Sequence, residues 1–295
     1  MIAPLRRIAF ALAALAGLTA PAAAQVVPAP PRPAMWKVAD ADTTIYLFGT
    51  IHALPKGVDW FDGKIAAAFE ASQELVTEIV ETDPAQMQKA VLAKGVLPEG
   101  QSLRDMLNPR QRADFEAALK ANDLPVERFD RAKPWFAAVV LSTLPILRDG
   151  FDPANGVEQA LGARGKVLGR PHGALETAEE QLGLFDSLPI EVQLRYLNEV
   201  VATLPEARNV LAAMVEAWKR GDAGTLARLM NEEEDDPLLM ERLLTGRNKA
   251  WAEWIGKRLD KPGTVFLAVG AGHLAGDGSV QAQLAAKGIA AARVQ

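Results

Sequence analysis

The chain has no cysteine, three histidines and two tyrosines, and each scarcity removes a class of function. Without cysteine there are no disulfides, no thiolate metal or iron–sulfur sites and no thiol nucleophile. Tyr46 and Tyr196 are the only phenols, and Tyr46 falls in a predicted core strand, which argues against a haem held by tyrosine. A formal charge of −5 over 295 residues provides no basic stripe for a phosphate backbone, so no nucleic-acid partner is expected. Imidazole chemistry is confined to His52, His172 and His273. What remains is ordinary globular material, 49% hydrophobic and 23% charged, long enough to build a core without covalent staples.

Residues 1–24 have the layout of a cleavable signal peptide. Arg6 and Arg7 precede an apolar stretch over 8–18, and Ala22-Ala23-Ala24 offers a cleavage site before Gln25. That stretch is short of the roughly 20 apolar residues a spanning helix needs. A periplasmic or secreted protein is expected, with no stable membrane insertion after cleavage. Pro28, Pro30, Pro31 and Pro33 make residues 25–34 an extended spacer.

Residues 35–295 read as one α/β domain. Strands are expected at 35–38, 43–48, 74–80, 166–168, 264–269 and 289–294, with helices at 63–72, 279–286 and 190–230, the last broken near Arg220-Gly221-Asp222. A helical insertion fills about 84–150. Strands at both ends and helices between predict a mixed central sheet flanked by helices, with ligands at the carboxyl ends of the strands.

Two histidines stand at such ends in matching contexts. Thr44-Ile45-Tyr46-Leu47-Phe48 leads into Gly49-Thr50-Ile51-His52, and Val265-Phe266-Leu267-Ala268-Val269 into Gly270-Ala271-Gly272-His273. Each glycine permits a positive φ or a close backbone approach, so each strand is expected to turn sharply and aim its imidazole into a crevice.

With Leu47 to Pro55, Glu74-Leu75-Val76-Thr77-Glu78, Ala174-Leu175-Glu176-Thr177 followed by Gln181, Ala217-Trp218-Lys219-Arg220-Gly221-Asp222, Arg247-Asn248 with Trp251, and Gly270 to His273, the chain resembles the TraB/PrgY/GumN family. That family is related to the Tiki proteins and is marked by paired G-x-x-H motifs and a carboxylate ending the second core strand. The sequence departs from the pattern at Gly246, where a glutamate is expected, and at Glu158, where an aspartate is commoner. The resemblance implies a fold of the Tiki, erythromycin-esterase and ChaN-like haem-uptake type. It also implies a metal-dependent, peptidase-like hydrolase site on a peptide or small-molecule substrate.

In that site His52, His273 and Glu78 would supply two nitrogens and a carboxylate, a set suited to Mn, Co, Zn or Fe, with no organic cofactor. Glu78 has another reading, a strand carboxylate paired with an arginine. A metal-free scheme, with His52 or His273 as general base and a glutamate orienting it, stays open beside the metal. So does a non-catalytic binding or accessory protein serving envelope polysaccharide biosynthesis.

Leu244, Asn248, Trp251 and Ile255 share one helical face, and Arg247 lies beside it. Arg247 and Asn248 either hold a substrate carboxylate or oxyanion, or tie the helix to the sheet. Glu176 is expected to serve a helix macrodipole, His172 to lie in a loop, and the run Glu232 to Asp236 to be a solvated connection.

Overall fold

Val265 to Val269 is apolar at every position, which in a strand means that both faces are covered. The computed structural model describes residues 30–80, 83–148, 150–232 and 236–295. The expected signal peptide, most of the proline-rich spacer and the centre of the acidic run lie outside the described residues. Strands are numbered in chain order: β1 Met35–Ala39, β2 Thr43–Thr50, β3 Leu54–Pro55, β4 Glu74–Thr77, β5 Phe151–Asp152, β6 His172–Ala174, β7 Gly263–Gly270 and β8 Ala292–Arg293.

The six-stranded sheet has the order β6-β4-β7-β2-β1-β8, and β3 pairs with β5 in a separate ribbon. β6, β4, β7 and β2 are parallel, and β1 runs against both its neighbours. The sheet is therefore mixed, flanked by helices, as the sequence predicts.

Side chains alternate across the sheet with the period of two that a strand imposes. Phe48, Leu75 and Phe266 pack on one side with Phe69 and Trp218. Leu47, Val76, Val265 and Leu267 pack on the other with Trp251 and Ile255. Helices Pro84–Lys94, Pro109–Ala121 and Pro134–Arg148 occupy the insertion. That insertion has its own core, in which Phe115, Leu119, Phe129 and Leu141 meet Leu197.

Three expectations need correction. The strand expected at 166–168 is the end of helix Val157–Val167, where Val167 is 86% exposed. The edge strand comes later, at β6, and contains His172, so that residue is not in a loop. Its Nε2 lies 2.8 Å from Thr77 Oγ1, and pairing with β4 outweighs the turn signals of Pro171 and Gly173. The last strand is only Ala292–Arg293, because only the end of the apolar run pairs with β1. Among the described residues no helix is long and apolar enough to cross a membrane.

Candidate functional site

β2 and β7 pair in parallel from Thr43↔Gly263 to Thr50↔Gly270, so both glycine exits leave the same edge of the sheet side by side. β4 flanks β7 with Thr77 opposite Ala268, which brings Glu78 to that edge too. The Gly270 amide donates to Glu78 Oε1 at 2.7 Å.

The glycines act through close approach rather than through a positive φ. Gly270 has a φ of −49°, and Gly49 is not in the left-handed region either. A Cβ on Gly49 would stand 3.2 Å from the Ala271 Cα. One on Gly270 would lie 3.1 Å from Glu78 Oε1, 3.4 Å from His52 Nε2 and 3.6 Å from His273 Cδ2. The three side chains thus converge on the space that the missing Gly270 side chain leaves open.

His52 is held from outside the sheet. Its Nδ1 lies 2.7 Å from Glu158 Oε1, an oxygen that also accepts from the Thr50 hydroxyl. A carboxylate only accepts, so Nδ1 carries the hydrogen and Nε2 faces the space above Gly270. Gly156 makes this pairing possible, since a Cβ there would stand 2.2 Å from the His52 carbonyl oxygen. The Val157 amide then donates to Ile51 O at 3.1 Å and docks the start of the Glu158 helix on the exit loop.

His273 is held from beneath. Helix Gly246–Leu259 buries Asn248, Trp251, Ala252 and Ile255 on one face, as the spacing predicts. Arg247 Nη1 lies 3.0 Å from His273 Nε2, and a guanidinium can only donate, so Nε2 accepts. Nδ1 therefore donates to Asn248 Oδ1 at 2.6 Å, and the Asn248 amide donates to Gly278 O. Trp251 packs against the imidazole with ring centroids 4.3 Å apart.

Arg247 has no donor left for a substrate. Its Nε donates to Glu176, Nη1 to His273 and Leu243 O, and Nη2 to Glu78 and Glu176. These engage all five N–H groups of a guanidinium. Of the two readings open for Arg247 and Asn248, the tie between helix and sheet accounts for every bond seen here. Glu176 serves this ion pair and the Trp251 indole rather than a helix dipole.

The two imidazoles differ in proton affinity. Around His52, desolvation works against the charge, but 71% of the side chain is accessible, so that penalty is partial. The hydrogen bond and charge of Glu158, aided by Glu78, lift its pKa from 6.5 to about 9. His273 is buried; desolvation, with the charges of Arg247 and His52, outweighs Glu78 and pulls its pKa down to about 3. For Glu78, burial opposes ionisation, but the His273, Arg247 and His52 interactions and the Gly270 amide hold the carboxyl down at about 2.

Above His52 and His273 opens a cavity of about 260 Å³. The profile of the TraB/PrgY/gumN family matches residues 34–293. The chain belongs to the TraB/PrgY/gumN family. An uncharacterized protein of Treponema pallidum (strain Nichols) is 23% identical over 267 residues, covering 83% of this chain and 78% of its own length. The uncharacterized protein YbaP of Escherichia coli (strain K12) is 24% identical over 192 residues, covering 64% of this chain and 70% of its own. No solved structure matches.

Several motifs that carry the TraB/PrgY/gumN resemblance support the two exits. Trp218 donates from its indole to Gly49 O at 2.8 Å, below the His52 loop. Gln181 donates to Glu78 Oε2 at 3.0 Å. Glu158, which the sequence marks only as a departure from the family pattern, is the partner of His52. Its place in the first turn of a helix opened by Gly156 was the available signal, but no periodicity points that helix at β2.

The expected metal ligands meet in space but do not form a ligand shell as placed. His273 Nε2 accepts from Arg247, and so does Glu78 Oε2, so the cation between them is a guanidinium. Among the described residues no group of three or more histidine, aspartate or glutamate side chains is arranged to hold a metal ion.

Proposed function

We propose that this is an exported hydrolase of ester or amide bonds, in which the His52–Glu158 pair moves the protons without a resident metal. The observation that carries the reading is the unused Nε2 of His52. Both nitrogens of His273 and all donors of Arg247 are engaged, whereas His52 Nε2 has no bonded partner among the described residues and faces the cavity.

In the neutral form His52 takes a proton from water as the water oxygen bonds to the substrate carbonyl carbon. It then returns the proton to the leaving oxygen or nitrogen as the carbon–heteroatom bond breaks, giving a carboxylic acid and an alcohol or amine. Glu158 fixes the tautomer and steadies the imidazolium. Glu78, Arg247 and His273 hold the floor. A metal-loaded form is the second reading, favoured by the convergence over Gly270; it requires Arg247 to release His273.

The test is hydrolysis of activated esters by the purified chain, before and after chelation, with metal content measured. The metal-free reading predicts turnover that survives chelation. It also predicts a rate rising about tenfold per pH unit up to the His52 pKa of about 9. Loss of turnover on chelation, restored by Mn, Co, Zn or Fe, would establish the second reading instead. Absence of turnover under all conditions would leave the accessory-protein alternative.

A further inference from the structure

The cavity above the two histidines is walled mostly by apolar side chains, with Tyr196 among the lining residues. Met230, Leu239, Met240, Leu243 and Leu244 line it, and Asn231, its one amide, has its NH2 group engaged by Gly272 O and Ala275 O. His52 and His273 are the wall residues with ionic partners, and those partners, Glu158 and Glu78, lie outside the lining. A charged substrate group seated among the methionine and leucine side chains, away from His52, would lose its water without gaining a counter-charge. An apolar group would replace water against thioethers and branched chains that adapt to its shape.

Resting on the hydrolase reading above, we propose that this cavity is an acyl pocket that seats an uncharged aliphatic chain next to the carbonyl attacked at His52. Size sets the chain length. A cavity of about 150 Å³ accepts benzene, so the 260 Å³ here suits an unbranched chain of about six carbons. Leu243 and Met240 belong to the segment leading into helix Gly246–Leu259, which holds Arg247 and Asn248. The wall that reads the chain and the bonds that hold His273 are thus parts of one continuous segment.

The experiment uses the p-nitrophenyl esters of acetate, butyrate, hexanoate and octanoate, with the anionic succinate monoester as the charged comparison. Calorimetric titration with N-methylhexanamide and N-methylacetamide reads the pocket without turnover. Burying each methylene is expected to raise kcat/KM about four-fold, so hexanoate exceeds acetate by about 200-fold. The succinate ester falls at or below acetate. N-methylhexanamide binds more tightly than N-methylacetamide, and Leu243→Phe or Met240→Phe shifts the preferred chain toward butyrate and weakens hexanamide binding.

Equal rates across the series, a preference for succinate, or hexanamide binding no tighter than acetamide would overturn the proposal. If no ester turns over while hexanamide still binds selectively and Leu243→Phe weakens it, the acyl pocket stands and the hydrolase reading falls.

Discussion

The β2 exit and the β7 exit carry the same glycine-to-histidine spacing on paired parallel strands, yet they leave their imidazoles in opposite states. At the first exit the partner at Nδ1 is the Glu158 carboxylate, the ring is accessible and the pKa rises to about 9. At the second the partner at Nδ1 is the Asn248 amide, a guanidinium faces Nε2, the ring is buried and the pKa falls to about 3. A motif places the histidine; the residues that close on it from other elements decide its protonation. Of a matched pair, one is equipped to exchange protons and the other to hold the floor.

Removing each histidine breaks the comparison most sharply. His52→Ala is expected to lower ester hydrolysis by about 100-fold or more, with a loss in melting temperature that disappears as pH rises toward about 9. His273→Ala is expected to lower stability as well as rate, because it strips Arg247 and Asn248 of a shared partner. Thermal melts and kcat/KM of the two variants separate these outcomes.

Arg247→Met tests the floor itself. It leaves the Glu78 and Glu176 carboxylates buried without their cation, and breaking a buried pair in this way costs about 3–5 kcal/mol. Denaturant unfolding measures it. A loss below about 1 kcal/mol would mean that the guanidinium is not what holds the two carboxylates together.

The two exits also predict stability changes at opposite ends of the pH scale. His52 binds its proton more tightly in the folded chain, so its contribution is complete below 6.5 and is lost as pH rises toward about 9. His273 binds its proton less tightly when folded, so its contribution is complete above 6.5 and is lost as pH falls toward about 3. Glu78 adds to the acid limb, its contribution falling between 4.5 and about 2. Glu158→Gln should act mainly by flattening the alkaline limb, and Arg247→Met mainly by flattening the acid limb, when unfolding free energy is followed against pH.

Gly270→Ala should have the smallest effect on stability. The added methyl group meets Glu78 Oε1 at 3.1 Å and His52 Nε2 at 3.4 Å, so those groups must shift by a few tenths of an ångström. A cost of about 1 kcal/mol and a larger proportional loss of rate are expected, since proton transfer depends on position.

Much of the edge was legible in the sequence. The expected strands at 43–48, 74–80 and 264–269 are three parallel neighbours in the sheet, the second ending three residues early at Thr77, and His52, Glu78 and His273 do converge. Helical spacing placed Asn248 and Trp251 on one buried face. What was not legible is which distant residue closes on which histidine. Glu158 reaches His52 because Gly156 lets two backbones approach, and Glu176 reaches Arg247 because backbone pairing goes on beyond both β4 and β6, where the Glu176 amide donates to Glu78 O. Neither contact leaves a periodic trace. The misplaced strand at 166–168 has the same origin, since three apolar-flanked residues fit a helix end as well as a strand and only pairing decides.

The most direct test is the nuclear magnetic resonance titration of the two imidazoles, with nitrogen shifts reporting the tautomers. The account predicts that His52 titrates near 9 and His273 near 3, with the His273 hydrogen on Nδ1. It also predicts that Glu158→Gln lowers the first and Asn248→Asp raises the second, so that exchanging carboxylate for amide brings the exits toward each other. Two histidines titrating together near 6.5, indifferent to those substitutions, would contradict it.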